Sequence, residues 1–324
     1  MRFILGAYTT CPSLNDKDSP LKDAYWEKIK TLPFLGGIEF PFWGDFAISQ
    51  EPWVWKNWNN DWNIVLTTIP GVMRSLETQP KFGLASMDED GRHSAIKFME
   101  KVRQTVHDLN NHVGRKAVIA VALASAPRRS IQRTESSANA LKQSLEKIAS
   151  WNWDGASLVI EHCDAQIPDH LPEKGFLTLE EETQAVRHSG TPVGISVNWG
   201  RSVLEHRHVD GAIQHIEYAR QHGLLQGLMF SGCTDKESPY GIWKDSHMPP
   251  PQEGNRDYFA DHSLMSAKEI KRAFSACGKE SLIYAGLKIT SRPYQNNSIV
   301  RPVGLINDSL SLLHECFNQF NQIH

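Results

Sequence analysis

The sequence lacks the features that mark several large classes of protein. Its five cysteines, spread through 324 residues, form no C-x-x-C pair, so we expect reduced thiols and a cytoplasmic protein instead of a disulfide framework. No apolar run approaches the roughly 18 residues that a membrane helix needs. The short apolar start runs directly into polar residues, which is unlike a signal peptide. We therefore expect neither a membrane segment nor a membrane partner.

An excess of charge of one sign is also missing. The chain has 34 Lys and Arg residues against 37 Asp and Glu residues, a formal net charge of −3, and no basic cluster appears. A protein that binds nucleic acid usually carries a basic footprint, so we expect no nucleic-acid partner. No G-x-G-x-x-G turn follows the first apolar run, which argues against a doubly wound nucleotide-binding sheet.

Eight short apolar runs, each followed by a segment of helical period, are what the sequence contains instead. Several runs are apolar on both faces, as strands buried in a parallel sheet are. Eight such units with no low-complexity linker predict one (β/α)8 barrel domain over residues 1–324. The predicted strands are 3–8, 37–42, 64–68, 117–124, 157–161, 193–198, 227–231 and 282–287.

Three connections are too long to be plain turns. They cover residues 43–62, 70–93 and 232–262, and each follows a predicted strand. Loops of this length in a compact domain are usually functional. Because they follow strands, we expect all three on the C-terminal face of the barrel, where barrel enzymes have their active sites.

Polar residues at the ends of the predicted strands are the first site candidates. Glu39 and Glu161 each follow an apolar run directly. A single acid there could simply meet solvent or cap a helix, but two on one face of a barrel favour a functional role. The other strand ends add Thr67, Ser125, Asn198, Arg201, Ser231 and Lys288. Of these, Asn198 and Arg201 are expected to bind the substrate, together with Trp43, Trp243 and Arg292 of the loops.

The order of the elements, with the segments LVIEHCD at 158–164 and GISVNWGR at 194–201, resembles the xylose-isomerase-like barrels. That superfamily includes sugar isomerases, ketose 3-epimerases and metal-dependent abasic-site endonucleases. The likeness spans nearly the whole chain and is to an uncharacterised bacterial branch with a degenerate metal site. It implies a sugar isomerase or epimerase that acts on a monosaccharide, or its acid or phosphate, by abstracting a proton beside a carbonyl. An endonuclease site would need about nine metal ligands, which the strand ends do not supply.

The resemblance also implies one divalent metal, held by Glu, Asp, His and Glu at the ends of strands five to eight. Those places fall on Glu161, on Asn198, near Ser231 and near Lys288, so one ligand of four is kept. Hard cations need several anionic or carbonyl oxygens. We therefore predict no metal cofactor there, with Glu161, Asp245 and His247 as the ligands if one binds.

Lys288 offers a replacement for the metal charge. We predict that its ammonium group pairs with Glu161 and stabilises an oxyanion of the substrate. With a lowered pKa it would instead form a Schiff base, which is the chemistry of an aldolase or lyase. Two other interpretations are open. Lys288 could form a purely structural ion pair at the barrel mouth, or the protein could be a sugar-binding barrel without catalysis.

Two of the long loops carry further candidates. Trp243, Asp245 and His247 alternate, so an extended segment would place all three on one side, with Asp245 orienting His247 as an acid–base group. Residues 43–62 hold five of the ten tryptophans. Trp43 is expected to stack on a sugar, unless the loop packs on itself or forms a homo-oligomer contact. Arg292 is expected to hold an anionic group of the substrate.

Overall fold

Eight parallel strands pair in sequential order, and the eighth pairs with the first to close the barrel. The computed structural model describes residues 1–12, 20–46, 48–278, 282–292 and 298–323. The (β/α)8 prediction is confirmed. The strands are β1 Phe3–Leu5, β2 Leu35–Pro41, β3 Asn63–Thr67, β4 Val118–Leu123, β5 Ser157–His162, β6 Gly194–Asn198, β7 Leu225–Phe230 and β8 Tyr284–Leu287.

Helices connect the strands and form the outer layer of the barrel. In the ranges given above they are α1 Pro20–Ile29, α2 Pro52–Lys56, α3 Ile69–Thr78, α4 Glu89–Val113, α5 Ala138–Ala149, α6 Leu179–Ser189, α7 Trp199–His206, α8 Asp210–Gln221, α9 Ala267–Cys277 and α10 Val300–Ile323. Across that part of the chain, no helix has the length and apolarity required to cross a membrane.

The alternation of side chains along each strand divides the apolar residues into two layers. Val159 and Met229 belong to the small cluster inside the barrel. Ile160 and Leu228 belong to the large cluster between the barrel wall and the helices. The same alternation decides the direction of the polar residues at the strand ends. Glu161 follows the inward parity of Val159, whereas its neighbour His162 follows the outward parity of Ile160.

The structure differs from the sequence-based prediction in two connections. The first strand ends at Leu5, and a 3-10 turn, Ala7–Thr9, follows it. The expected loop 70–93 is wrong, because α3 occupies most of its first half. Pro70 lies in the first turn of this helix, where proline is well accommodated because its missing N–H group has no partner to lose. The segment 232–262, by contrast, has neither helix nor strand.

Candidate functional site

Six strand-end positions of inward parity meet at the C-terminal mouth of the barrel. Each of these residues lies within, or one residue beyond, its strand, and all except Gly6 carry a polar side chain. They lie above the small apolar cluster inside the barrel, and their side chains are almost wholly buried. The positions are Gly6, Glu39, Glu161, Asn198, Ser231 and Lys288.

Lys288 forms an ion pair with Glu39, and the predicted pair with Glu161 is wrong. Lys288 Nζ lies 2.9 Å from Glu39 Oε2, and both side chains are 1% exposed. The reason lies in the strand order, since β1 stands between β8 and β2 and carries Gly6 at this level. A Cβ atom on Gly6 would lie 3.0 Å from Lys288 Cγ and 3.2 Å from Glu39 Oε2. The missing side chain therefore gives the lysine room to reach across β1.

Glu161 has a different cation, which comes from the helix after β6. Arg201 Nη1 donates to Glu161 Oε1 at 2.7 Å, and Asn198 Nδ2 donates to the same oxygen at 3.0 Å. Helix α7 begins directly after β6, and Asn198 caps it by accepting a hydrogen bond from the backbone N–H of Arg201. This short connection holds Arg201 over the barrel mouth. Among the described residues, Glu161 Oε2 has no hydrogen-bond partner.

Asp245 joins this cluster to the long loop after β7. Its Oδ2 accepts from Arg201 Nε at 3.1 Å and from Lys174 Nζ at 2.9 Å, and its Oδ1 lies 3.4 Å from His247 Nδ1. His247 Nδ1 also lies 2.8 Å from Ser231 Oγ. The expected proximity of Asp245 and His247 is therefore present. Both Trp243 and His247 have positive φ angles of about 51° and 52°, so the loop is not the simple extended segment that the alternation suggested.

The surroundings of the two glutamates shift their pKa values in opposite directions. Burial raises the pKa of Glu39, and the neighbouring Lys288 only partly offsets this. Burial would also raise the pKa of Glu161, but Arg201, followed by Lys288, outweighs it and holds the pKa below its usual value. Two nearby carboxyl groups whose pKa values are pushed apart are a common arrangement for an acid and a base.

The other titrating groups are set by burial and by their charged neighbours. Burial lowers the pKa of Lys288, but Glu39 outweighs this and the pKa ends above its usual value. Burial likewise works against ionised Asp245, yet Arg201 and Lys174 hold its pKa well below the usual range. Burial lowers the pKa of His247 to about 3. At neutral pH the site therefore contains charged Lys288 and Asp245 beside a neutral imidazole.

Three adjoining cavities of about 410, 440 and 570 Å³ open at this cluster. Tyr8 and Trp43 line all three, and Trp43 is 47% exposed. Arg292 lines two of them. Trp243 lines none of the three cavities. Its ring packs instead against the guanidinium group of Arg207, whose Cζ lies 5.1 Å from the ring centre. Trp55, Trp58 and Trp62 pack mainly on one another and on Phe40. Trp53 lines the 440 Å³ cavity, with Lys22 Nζ 4.5 Å from its ring centre.

The residues at the mouth do not fit the divalent metal that the resemblance implies. Arg201 and Lys288 place a guanidinium and an ammonium group against the two glutamates. The alternative ligand set fits no better, because Arg201 lies between Glu161 and Asp245 and binds both. A dication there would meet two fixed positive charges in a buried site, where their repulsion is weakly screened.

A second buried polar group lies on the outer side of the barrel wall. It consists of His162 at the end of β5, Glu205 on α7 and His215 on α8, whose ligand-type atoms all lie within 4.8 Å of one another. This group could hold a metal ion. Sequence reasoning missed it, and it missed Lys174 and Tyr8 at the mouth. Tyr8 had a signal, since it ends the predicted first strand, whereas Lys174 lies in an irregular connection with no distinguishing pattern.

Comparison with known proteins decides the family. The family model described as Domain of unknown function (DUF4862) matches residues 4–302. The chain belongs to this family. An uncharacterized protein of Salmonella typhimurium strain LT2 is 32% identical to it over 288 residues, which are 89% of each chain.

Solved structures with the same fold as this DUF4862 chain include sugar epimerases. An L-ribulose 3-epimerase has a TM-score of 0.57 at 11% identity and covers 99% of this chain and 97% of its own. A xylose isomerase domain containing protein from Salmonella typhimurium LT2 has a TM-score of 0.58 at 12% identity over 97% of each chain. The fold is therefore that of the xylose-isomerase-like barrels, as the sequence predicted.

Proposed function

We propose that this DUF4862 chain is a sugar isomerase or epimerase that moves a proton beside a carbonyl with no metal at the barrel mouth. The observation that carries the proposal is the pair of buried carboxylates, Glu39 and Glu161, which are held by Lys288 and Arg201, two cations that line one of the cavities. Proton transfer of this kind needs a base, an acid and a group that stabilises negative charge. The cluster contains candidates for all three, and the shared fold with an epimerase supports the same reaction class.

Glu161 is the proposed base. Its lowered pKa keeps it ionised at neutral pH, and Oε2 is the oxygen that Arg201 and Asn198 leave free. His247 is the second acid–base group, because its ring is neutral at pH 7 and Asp245 and Ser231 orient it. A neutral imidazole can take a proton from one atom of an enediolate and return it to another.

Lys288 and Arg201 are the proposed stabilisers of the enediolate. Both are fixed by carboxylates before the substrate arrives, so their charges need little reorganisation when negative charge develops. Glu39 holds Lys288 in place as a carboxylate, and because burial raises its pKa it is a further proposed group on the β2 side that can accept a proton and return it. Since β2 and β5 lie three strands apart in a ring of eight, Glu39 and Glu161 approach a substrate from nearly opposite sides. That arrangement favours epimerisation over proton return to the same face.

The Schiff-base alternative is less compatible with this geometry. A lysine nucleophile must be neutral, which requires a lowered pKa. Here Glu39 holds the Lys288 ammonium at 2.9 Å, and its pKa is raised. We therefore assign Lys288 an electrostatic role in the proposed reaction.

The proposed substrate is a small carbohydrate. The exposed Trp43 ring offers a surface for the C–H face of a sugar, and Arg74, Lys174 and Arg292 line the cavities beside it. Those cations favour a sugar acid or a sugar phosphate over a neutral sugar. The five buried cysteines are free, which supports a reducing cytoplasm as the place of action.

Solvent-deuterium exchange tests the reaction class directly. Wild-type protein is incubated in D2O with a panel of ketoses, aldoses, and their acids and phosphates, and deuterium at the carbon beside the carbonyl is read by NMR. We expect exchange with at least one compound, with no divalent metal added to the assay. Absence of exchange with every compound that binds would indicate a sugar-binding barrel and would contradict the proposal.

Variants at the mouth provide the matched controls. Glu161→Gln keeps the shape of the side chain and its contacts with Arg201 but removes the base, so exchange should fall by about 10²-fold or more. Ser246→Ala, which lines the same cavity without belonging to the charged cluster, should leave exchange within a few-fold of wild type. Equal loss in both variants would mean that the reaction does not depend on Glu161.

A further inference from the structure

The buried group outside the barrel wall combines two carboxylates with imidazole rings. Glu182 on α6 and Glu205 on α7 both point at His162, with Glu182 Oε2 2.7 Å from Nδ1 and Glu205 Oε2 3.1 Å from Nε2. The three residues are between 0% and 6% exposed. Within the described ranges, only histidines come within 4.0 Å of either carboxylate as positive partners. Two buried carboxylates whose basic partners are imidazoles form an environment that favours a bound cation.

The two histidines of the group are oriented as metal-bound histidines usually are. His162 Nδ1 contacts Glu182, whose other oxygen accepts from Ser125 Oγ at 2.5 Å. His215 Nδ1 lies 2.9 Å from Ser202 Oγ. In both rings Nδ1 contacts a side-chain oxygen, and Nε2 faces Glu205. A carboxylate or hydroxyl behind each ligand histidine is the arrangement that fixes tautomer and ring direction at metal sites.

The distances converge on one point between β5, α7 and α8. Glu205 Oε2 lies 3.1 Å from His162 Nε2, and Glu205 Oε1 lies 3.7 Å from His215 Nε2. His206 approaches from the exposed side, with its Nε2 3.0 Å from His215 Nε2. Ligand atoms bound to zinc at about 2.0–2.1 Å in tetrahedral geometry stand a little over 3 Å apart. The ligand-type atoms of His162, Glu205 and His215 all lie within 4.8 Å of one another, so a small inward shift would bring them to that spacing.

From this convergence we propose that His162, Glu205 and His215 bind a zinc ion. A dication together with the ionised carboxylates of Glu182 and Glu205 gives a net charge of zero when the imidazole rings are neutral. Two imidazoles and one carboxylate favour zinc over magnesium or calcium, which prefer oxygen ligands. None of the three buried ligands lines the mouth cavities, so the metal is structural.

The proposed zinc site is linked to the barrel mouth by the peptide bond between Glu161 and His162. His162 follows Glu161 directly, and the backbone N–H of Ala165 donates to Glu205 Oε2 at 2.8 Å. A metal on the outer face would tie the end of β5 and the start of its loop to α7, the helix that carries Arg201. Zinc would then hold Glu161 and Arg201 at a fixed separation without touching the substrate.

Metal content and thermal stability of the wild-type protein test the proposal. The protein is purified without a nickel column, analysed by mass spectrometry for metals, stripped with a chelator and titrated with ZnSO4 or MgCl2. We expect about one zinc ion per chain and a melting temperature that rises by roughly 5 °C with zinc but not with magnesium. Cobalt in place of zinc should give the visible absorption bands of a tetrahedral site. No uptake of zinc or cobalt and no shift in melting temperature would overturn the proposal, leaving an ion-pair network.

Variants locate the metal and separate this proposal from the one at the mouth. His215→Ala should lose the metal and the zinc-dependent shift, whereas His188→Ala, an exposed histidine on α6, should keep both. Glu161→Gln should also keep both while losing deuterium exchange. Loss of metal in Glu161→Gln but not in His215→Ala would overturn both the outer site and the metal-free mouth. Circular dichroism checks the fold of each variant, and the wild-type titration does not depend on them.

Discussion

Replacing Lys288 by Met removes the ammonium group but keeps a side chain of similar length in the barrel mouth. Both partners of the Lys288–Glu39 pair are 1% exposed. Removing one partner of a buried pair costs about 3–5 kcal/mol, because the other charge is left without compensation. With an unfolding entropy near 2 cal/mol/K per residue, each kcal/mol corresponds to roughly 1.5 °C in a chain of this length. We expect Lys288→Met to melt about 4–8 °C below wild type at pH 8.

The loss should depend on pH with a defined sign. Without Lys288 the pKa of Glu39, already raised by burial, rises further, so the native variant holds its proton while the unfolded chain loses it near pH 4. Stability therefore falls as the pH increases above 4, and the deficit against wild type should be larger at pH 8 than at pH 5. Scanning calorimetry at both values measures this.

A double variant provides the control. Lys288→Met with Glu39→Gln removes both charges, so it should recover most of the stability at pH 8 and lose the pH dependence, without regaining deuterium exchange. If Lys288→Met melts within 1 °C of wild type at both pH values, the ion pair does not have the buried character described above. A double variant less stable than Lys288→Met at pH 8 would likewise show that the ion pair does not have this buried character.

Three further predictions address the mouth and its cavities. Gly6→Ala should reduce exchange at least 10-fold and lower the melting temperature, because its Cβ would press on Lys288 Cγ at 3.0 Å; activity and stability equal to wild type would contradict the close approach. Trp43→Ala should raise KM for the sugar with an unchanged melting temperature, since the ring is 47% exposed; an unchanged KM would exclude sugar stacking. The value of kcat/KM should stay level as the pH falls from 7 to 5, because the pKa of His247 is lowered to about 3; an inflection near pH 6.5 that His247→Gln removes would refute this.

The barrel and the place of its polar residues could be predicted from the sequence because both follow from local patterns. Eight apolar runs of strand length predicted eight strands, and the positions of Glu39, Glu161 and Lys288 at the ends of these runs predicted that they lie at the mouth. Helix α3 was missed, although Pro70 in its first turn is compatible with a helix. The error was local, so it did not change the topology.

The partners of the polar residues could not be predicted, because pairing depends on the closed strand order and on side-chain reach. Lys288 was assigned to Glu161, yet the closed barrel places Gly6 between Lys288 and Glu39, and the lysine reaches the nearer acid. Arg201 was expected to bind substrate. Because α7 starts without a loop, Arg201 instead lies between Glu161 and Asp245. Both outcomes depend on distances between elements far apart in the chain.

The two residues that end β5 show how one step in the sequence separates two sites. Glu161 and His162 are adjacent, so the strand directs one side chain into the barrel and the other toward the helices. The acid meets the cations of the mouth, and the imidazole meets Glu182, Glu205 and, through the latter, His215. The sequence did contain a signal for the second site, since Glu182 and His215 occupy buried positions on their helices where an apolar residue is usual. A polar residue on the buried face of a helix is costly unless it has a partner, and three helices with such residues facing one strand end indicate a shared partner.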